Sequence, residues 1–366
     1  MRVEEWGKKT SRRITKTLSE FIMYASYSQT NTIYSLVFRR YEGLYLVVVL
    51  GAMKRDVLRA ECENRRQRLL IKREDNWSDL GISSYAGARY YTARDGSTLL
   101  YEAIKSDCPF FVCRMGETET RMIRMIRRDY LCLNEFRIAT HNICNNAGFF
   151  PRRIGHIKRF CDLYELSAQS ADYLGMMLWK DEEYIMLNTK DLKGCFPSGI
   201  LDPIYMNDNK WLEALEHKKV LVVSPFAQSI NEQYKKREKL FKGKDILKEF
   251  DLKVLQAVQS IGGKGAEGYD TWFDALDSMK KKIDEVDFDI ALLGCGAYGV
   301  PLGSYIKSIQ KQAVYVGGCL QLMFGILGRR WENSEYVKEY VNDNWIRPLS
   351  QEKPDCYKAV EEGCYW

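Results

Sequence analysis

The sequence predicts an α/β fold, a mainly parallel sheet of six strands with helices on both faces, preceded by a basic N-terminal helical extension. Three observations predict it. From residue 110 onward, short apolar runs alternate with helical stretches, an order that builds a parallel sheet covered on both sides. The excess of positive charge is confined to the first fifth of the chain. Between the two, residues 76–97 lose periodicity while Gly, Ser and Asp accumulate, which marks a boundary. The expected division is therefore an extension over 1–95 and one sheet domain over 96–366. Of the 366 residues, 46% are hydrophobic and 28% charged, so a chain of this size buries a core without staples.

In chain order, Ser97 and Thr98 are expected to cap a helix over Leu99–Asp107, which Pro109 stops ahead of the first strand. The strand candidates are Phe110–Cys113, Tyr184–Leu187, Val220–Ser224, Leu252–Ala257, Ile290–Gly294 and Ala313–Val316. Helical stretches lie between them at Thr120–Leu131, Ser229–Phe241, Trp272–Asp284 and Val300–Lys311. Ligands of such sheets sit off the carboxyl ends of the strands, so chemistry is sought at the strand-to-helix turns.

The formal net charge is +6, yet residues 1–75 alone hold 16 Lys and Arg against 9 Asp and Glu. There, Arg39 and Arg40 precede the apolar run Leu44–Met53, and a second basic stretch follows it. The run is too short to span a bilayer, which takes about 20 residues. Basic flanks around a short apolar segment suit a peripheral contact with an anionic membrane surface; a solvated basic helix beside one ordinary strand or helix fits equally. No nucleic-acid-binding motif is present, so nucleic acid is not an expected partner. The 11 Cys include no C-x-x-C, and the three His share no metal-ligand spacing, which argues against structural zinc. With no secretory signal opening the sequence, a reducing, cytosolic compartment is expected.

Two turns carry the chemistry. The first strand runs into Arg114, Met115, Gly116, Glu117, Thr118 and Glu119. Two carboxylates two residues apart, with a Gly for a tight turn, can hold Mg2+ or Mn2+ bridging to a diphosphate. The same pair can also simply face a helix dipole while Arg114 neutralises one of them. The strand before residue 294 ends in Gly294, Gly296 and Gly299 around Tyr298, a G-x-G-x-x-G turn whose amides can approach phosphate. A nicotinamide enzyme would need an acid at the end of the next strand, and that strand ends in Gly317 and Gly318. Two further turns are noted. Ser224 leads into a stretch whose Gln233, Tyr234 and Arg237 can line an anionic substrate or form an exposed charged face. The polar segment Thr140–Pro151 brings His141, Asn145 and Asn146, which can hydrogen-bond a sugar or base or fix a loop.

At these residues the chain resembles the GT-D type of nucleotide-sugar-dependent glycosyltransferases of bacterial glycoprotein and surface-polysaccharide gene clusters. Its R-M-G-E-T-E looks like that group's R-F-G-D-G-E motif, with Glu117 at the Asp position and Glu119 at the final Glu. Asn145–Pro151, Val220–Tyr234, Asp289–Leu302 and Gly317–Trp331 are similar to segments of proteins encoded near capsule genes. The resemblance covers about residues 95–366 and implies a Rossmann-like fold and a metal and diphosphate site at the acidic pair. It implies sugar transfer from a nucleotide-diphosphate donor to a glycan or lipid-linked acceptor in surface-polysaccharide synthesis, at the inner membrane face. Glu119 is expected to hold the cation, with or without Glu117, because Glu replaces Asp at 117. Arg114 and amides near Gly116, Gly296 and Gly299 would add donors, and His141 or a carboxylate would serve as base. The alternative is a non-catalytic nucleotide-sugar sensor or assembly partner of a membrane complex. The aromatic stretch ending in Cys364, Tyr365 and Trp366 is expected to pack on the domain, over the site or in an oligomer contact.

Overall fold

The computed structural model describes residues 21–26, 32–41, 44–54, 84–85, 88–127, 133–178, 182–186, 189, 191–206, 208–241 and 243–366. The chain divides into two compact units, residues 1–63 with 127–132 and residues 64–126 with 133–366. In the first, strands β1 (Phe21–Ser26), β2 (Thr32–Tyr41) and β3 (Leu44–Lys54) form an antiparallel sheet in that order. The described part of the expected helical extension is therefore β, and its apolar run forms β3. Residues 55–83, which include the second basic stretch, lie outside the described residues. No helix among the described residues is long and apolar enough to cross a membrane.

The second unit opens with a short hairpin, β4 (Ser84–Tyr85) and β5 (Ala88–Arg89). Tyr85 is fully buried, and the Tyr91 N–H donates to Cys195 O at 2.8 Å, so this unit takes in residues expected within the extension. Its sheet has seven strands, not six, all parallel: β6 (Phe110–Cys113), β7 (Tyr173–Met176), β8 (Gly194–Pro197), β9 (Lys219–Ser224), β10 (Asp251–Gln256), β11 (Ile290–Leu293) and β12 (Gln312–Tyr315). The spatial order is β10-β9-β11-β12-β6-β7-β8, a Rossmann-like arrangement. From β6 the chain winds toward β7 and β8, while β9 to β12 fill the other side. The order of winding thus reverses between β6 and β12.

Burial on both faces explains the near-continuous apolar strands. In β11, Ile290 and Leu292 enter one core, and Ala291 and Leu293 the other; Val220 and Val222 alternate with Leu221 and Val223 in β9 in the same way. Such period-two sorting is what a pleated strand between two helical layers requires. One expected strand is wrong: of Tyr184–Leu187, the described residues Tyr184–Met186 belong to the helix Glu182–Met186, and Leu187 lies outside the described residues. The expected cap is also displaced, since the helix runs over Ala93–Lys105 and is capped by Thr92. Ser97 is buried in its interior and donates to Asn209 Oδ1 at 3.0 Å. The expected helix over Ser229–Phe241 breaks into Ala227–Tyr234 and Arg237–Leu240.

Candidate functional site

Segments leaving the carboxyl ends of all seven strands surround a cleft of about 620 Å³, the place where an open parallel sheet binds ligands. The crevice is centred on the reversal point between β6 and β12. Arg114, the first residue past β6, spans it: its guanidinium donates through Nη1 to Val316 O at 2.8 Å. Gly317 follows with φ +82°, and a Cβ there would lie 2.1 Å from Arg114 Nη1. Only glycine combines that backbone conformation with that closeness.

Past Arg114 the chain turns at Gly116 into the helix Glu117–Arg127. The Glu119 side chain folds back over the turn, so that a Cβ on Gly116 would meet its Oε2 at 2.0 Å. Glu119 is 7% exposed and forms no ion pair among the described residues. Burial pushes its carboxyl from the ordinary 4.5 up to about 7, against smaller opposing pulls from its own backbone N–H and the Arg114 charge. Two buried phenols lie near Glu119, of which Tyr315 borders the cleft. Burial first, and then the charge of Glu119, raises both Tyr164 and Tyr315 well above the ordinary tyrosine range. Tyr164 accepts the Gly116 N–H at 3.3 Å, and Tyr315 donates to Gly296 O at 2.9 Å. Glu117 also borders the cleft, but its carboxylate is half exposed and paired with Arg121 at 2.5 Å.

The glycine turn after β11 forms the next wall. Gly296 has φ +58° and borders the cleft. Tyr298 is buried, stacks on Trp272 at 4.7 Å and meets Ser260 Oγ at 3.0 Å. Gly299 serves packing instead: a Cβ on it would lie 2.2 Å from the Tyr315 ring. Asn146 and Ser224 border the cleft as well, with Ser224 accepting the Phe226 N–H at 3.2 Å.

Other expected site residues lie elsewhere. Gln233 is fully buried and donates to Asn344 O at 2.8 Å, Tyr234 stacks on Phe250 at 4.8 Å, and Arg237 pairs with Glu249 at 3.0 Å. None of the three borders the cleft: Gln233 and Tyr234 face packing, and Arg237 pairs with exposed carboxylates at the surface. The amides that open the helix Ala227–Tyr234 are taken by Glu352, whose carboxylate accepts Gln228 N–H at 2.7 Å and Ser229 N–H at 3.2 Å. His141 is exposed and borders a different depression, together with Asn145. Asn145 donates to Asn146 Oδ1 and to Ala359 O, both at 2.7 Å.

The sequence reading missed Asp202, which follows β8 and borders the cleft, buried. Burial raises its carboxyl, opposed by the Ile204 N–H, the Tyr336 hydroxyl and Arg114. Its strand, Gly-Cys-Phe-Pro, carries no alternating signal that would have pointed to the turn. The C-terminal aromatics pack over the site: Tyr365 accepts from Arg330 at 3.1 Å, and Trp366 meets Phe226 edge-on at 5.8 Å. Burial pushes the Cys295 thiol up to about 12, so this cleft cysteine stays protonated.

Among the described residues no cluster of three His, Cys, Asp or Glu exists. Mg2+ and Mn2+ do not require one, because they sit on one or two carboxylates and take their remaining ligands from phosphate oxygens and water. A buried carboxylate that forms no ion pair among the described residues, as Glu119 does, fits that role.

No family model and no curated protein matches the chain. Two solved structures are similar to it. One is a selenomethionine-substituted domain of unknown function 1792, with TM-score 0.42 and 11% identity over 80% of this chain and 96% of that one. The other is a structure of the same domain, described as highly conserved and as having a distinct glycosyltransferase fold, with TM-score 0.40 and 12% identity over 73% of this chain and 93% of that one. At TM-scores this low neither likeness carries weight for what this chain does; its sheet order, cleft and buried carboxylate stand by themselves.

Proposed function

We propose that the second unit is a glycosyltransferase that moves a sugar from a nucleotide-diphosphate donor to a hydroxyl acceptor, with a divalent cation assisting. One observation carries the reading: Glu119 lies buried and without a cationic ion-pair partner among the described residues, in a cleft bordered by turns from all seven strands. The resemblance of Arg114–Glu119 to the R-F-G-D-G-E motif supports it. Glu119 would hold Mg2+ or Mn2+, which supplies charge neutralisation on the departing diphosphate. Arg114 donates to the same phosphates, and the turn at Gly296 lets them approach the backbone. Tyr365 and Trp366 shut water out on one side. Asp202, the other buried carboxylate there, takes the proton of the acceptor hydroxyl, a task that a raised carboxyl pKa suits. Glu117 stays with Arg121 and plays no direct part.

The test is release of nucleoside diphosphate from a panel of nucleotide sugars, with and without manganese, by the wild type and by Glu119→Gln. Turnover by the wild type alone is expected. Undiminished turnover by Glu119→Gln, or the failure of every nucleotide sugar to raise thermal stability, overturns the reading.

A further inference from the structure

A second depression of about 520 Å³ takes no part in the chemistry above. It shares a wall with the cleft. Asn146, Ser260 and Ile261 border the cleft, while their chain neighbours Asn145 and Gly262 border the depression, and the Gly262 N–H donates to Asn145 O at 2.8 Å. Its lining is basic: Arg152, Lys264 and His141 against the single carboxylate of Asp270. Arg152 and Lys264 form no ion pair among the described residues.

The backbone repeats the message. After β10 the chain runs through Gly262, Gly263, Lys264 and Gly265, with φ of +74°, +71° and +77° at the three glycines and no positive φ at Lys264. The backbone N–H groups of Gly263, Lys264 and Gly265 make no short hydrogen bond among the described residues, although the turn over residues 261–264 directs at least one of them toward Ser260 O. Successive amides where the backbone changes hand, as it does between Gly263 and Lys264, form a concavity that binds anions. A Cβ on Gly263 would meet nothing within 4 Å, so this glycine is not explained by packing. Two cations with no ion pair among the described residues and the amides of a glycine turn around one hollow suit a phosphate or a diphosphate, and the volume leaves room for an attached sugar.

We propose that this depression binds the phosphate or diphosphate of a phosphorylated sugar acceptor, an assignment that rests on reading the neighbouring cleft as the donor site. The phosphate comes from a lipid headgroup or from a free sugar phosphate; the recognition chemistry is the same.

Acetylation of Lys264 by acetic anhydride, followed by peptide mass spectrometry, reads the site locally and without turnover. Pyrophosphate at ten times its Kd should slow Lys264 modification on the order of ten-fold by mass action. The protection should disappear in Arg152→Ala and persist in Glu119→Gln. Unchanged Lys264 modification, protection that survives Arg152→Ala, or protection that vanishes in Glu119→Gln each overturns the proposal, the last because the anion would then sit in the cleft. Parallel arms with glucose 1-phosphate and with phosphatidic acid vesicles identify the source by whichever protects; protection by neither also overturns it. Because no donor is used, failure of the glycosyltransferase reading leaves the Lys264 result unaffected, and the two failures are distinguishable.

Discussion

Replacing Glu119 by Gln keeps the size of the side chain and removes its charge. In the folded chain, burial holds this carboxyl at about 7 against an ordinary 4.5. The folded state therefore binds the proton more tightly than the unfolded state, and stability declines as pH rises through that window and stays lower above it. At about 1.4 kcal/mol per pH unit, the interval amounts to roughly 3 kcal/mol in favour of Gln above neutrality, and to nothing below about pH 4. An unfolding entropy of about 2.1 cal/mol/K per residue over the 366-residue chain converts this into a Tm difference of about 4 °C at pH 8. Thermal unfolding of both proteins from acid to mildly alkaline pH checks it, because all other titrations cancel in the difference. Manganese should raise the Tm of the wild type at pH 8 and leave that of Glu119→Gln unchanged. A difference that does not change with pH, or a Gln variant less stable at pH 8, refutes the claim that Glu119 is a buried carboxylate awaiting a cation.

Gly317→Ala sets a Cβ against Arg114 at a positive φ, and should cost about 2 kcal/mol or more in urea unfolding. Arg114→Lys keeps the charge but loses the planar fork that reaches Val316 O; nucleoside diphosphate should bind on the order of ten-fold more weakly by calorimetry. Asp202→Asn should leave donor binding intact and lower kcat by roughly a hundred-fold, removing the acid limb of the pH–rate profile.

Much of the sheet was legible because its signals are local. β6, β9, β10, β11 and β12 each begin and end within about a residue of their apolar runs, and the turns after β6 and β11 announce themselves by Gly beside charged or apolar neighbours. β7 and β8 were not legible. Tyr-Leu-Gly-Met and Gly-Cys-Phe-Pro are four residues long with no β-branched residue, and they become strands because β6 offers β7 an edge to pair with and β7 in turn offers one to β8. Tyr184–Leu187 shows the converse: four residues of mixed pattern carry no period long enough to separate strand from helix. In the site, Arg114, Gly116, Glu119, Asn146, Ser224, Gly296 and Tyr298 do border one cleft. Gln233, Tyr234 and Arg237 follow Ser224 closely in sequence, yet a helix turns successive side chains about 100° apart, and theirs point away from the cleft, the first two into packing and Arg237 to surface carboxylates.

The amino-acid sequence by itself determined the fold class, the strand-end positions of the acidic and glycine turns, and the uneven distribution of charge, because each is written in neighbouring residues. Tertiary structure alone decided the rest: that β6 lies beside β12, so that Arg114 meets Gly317, and that Glu119 is buried while Glu117 is solvated. It also brought Asp202 and the chain's last aromatics to the same cleft. Those outcomes depend on contacts between residues as much as two hundred positions apart, whose closeness follows from how the strands are ordered and not from any local pattern.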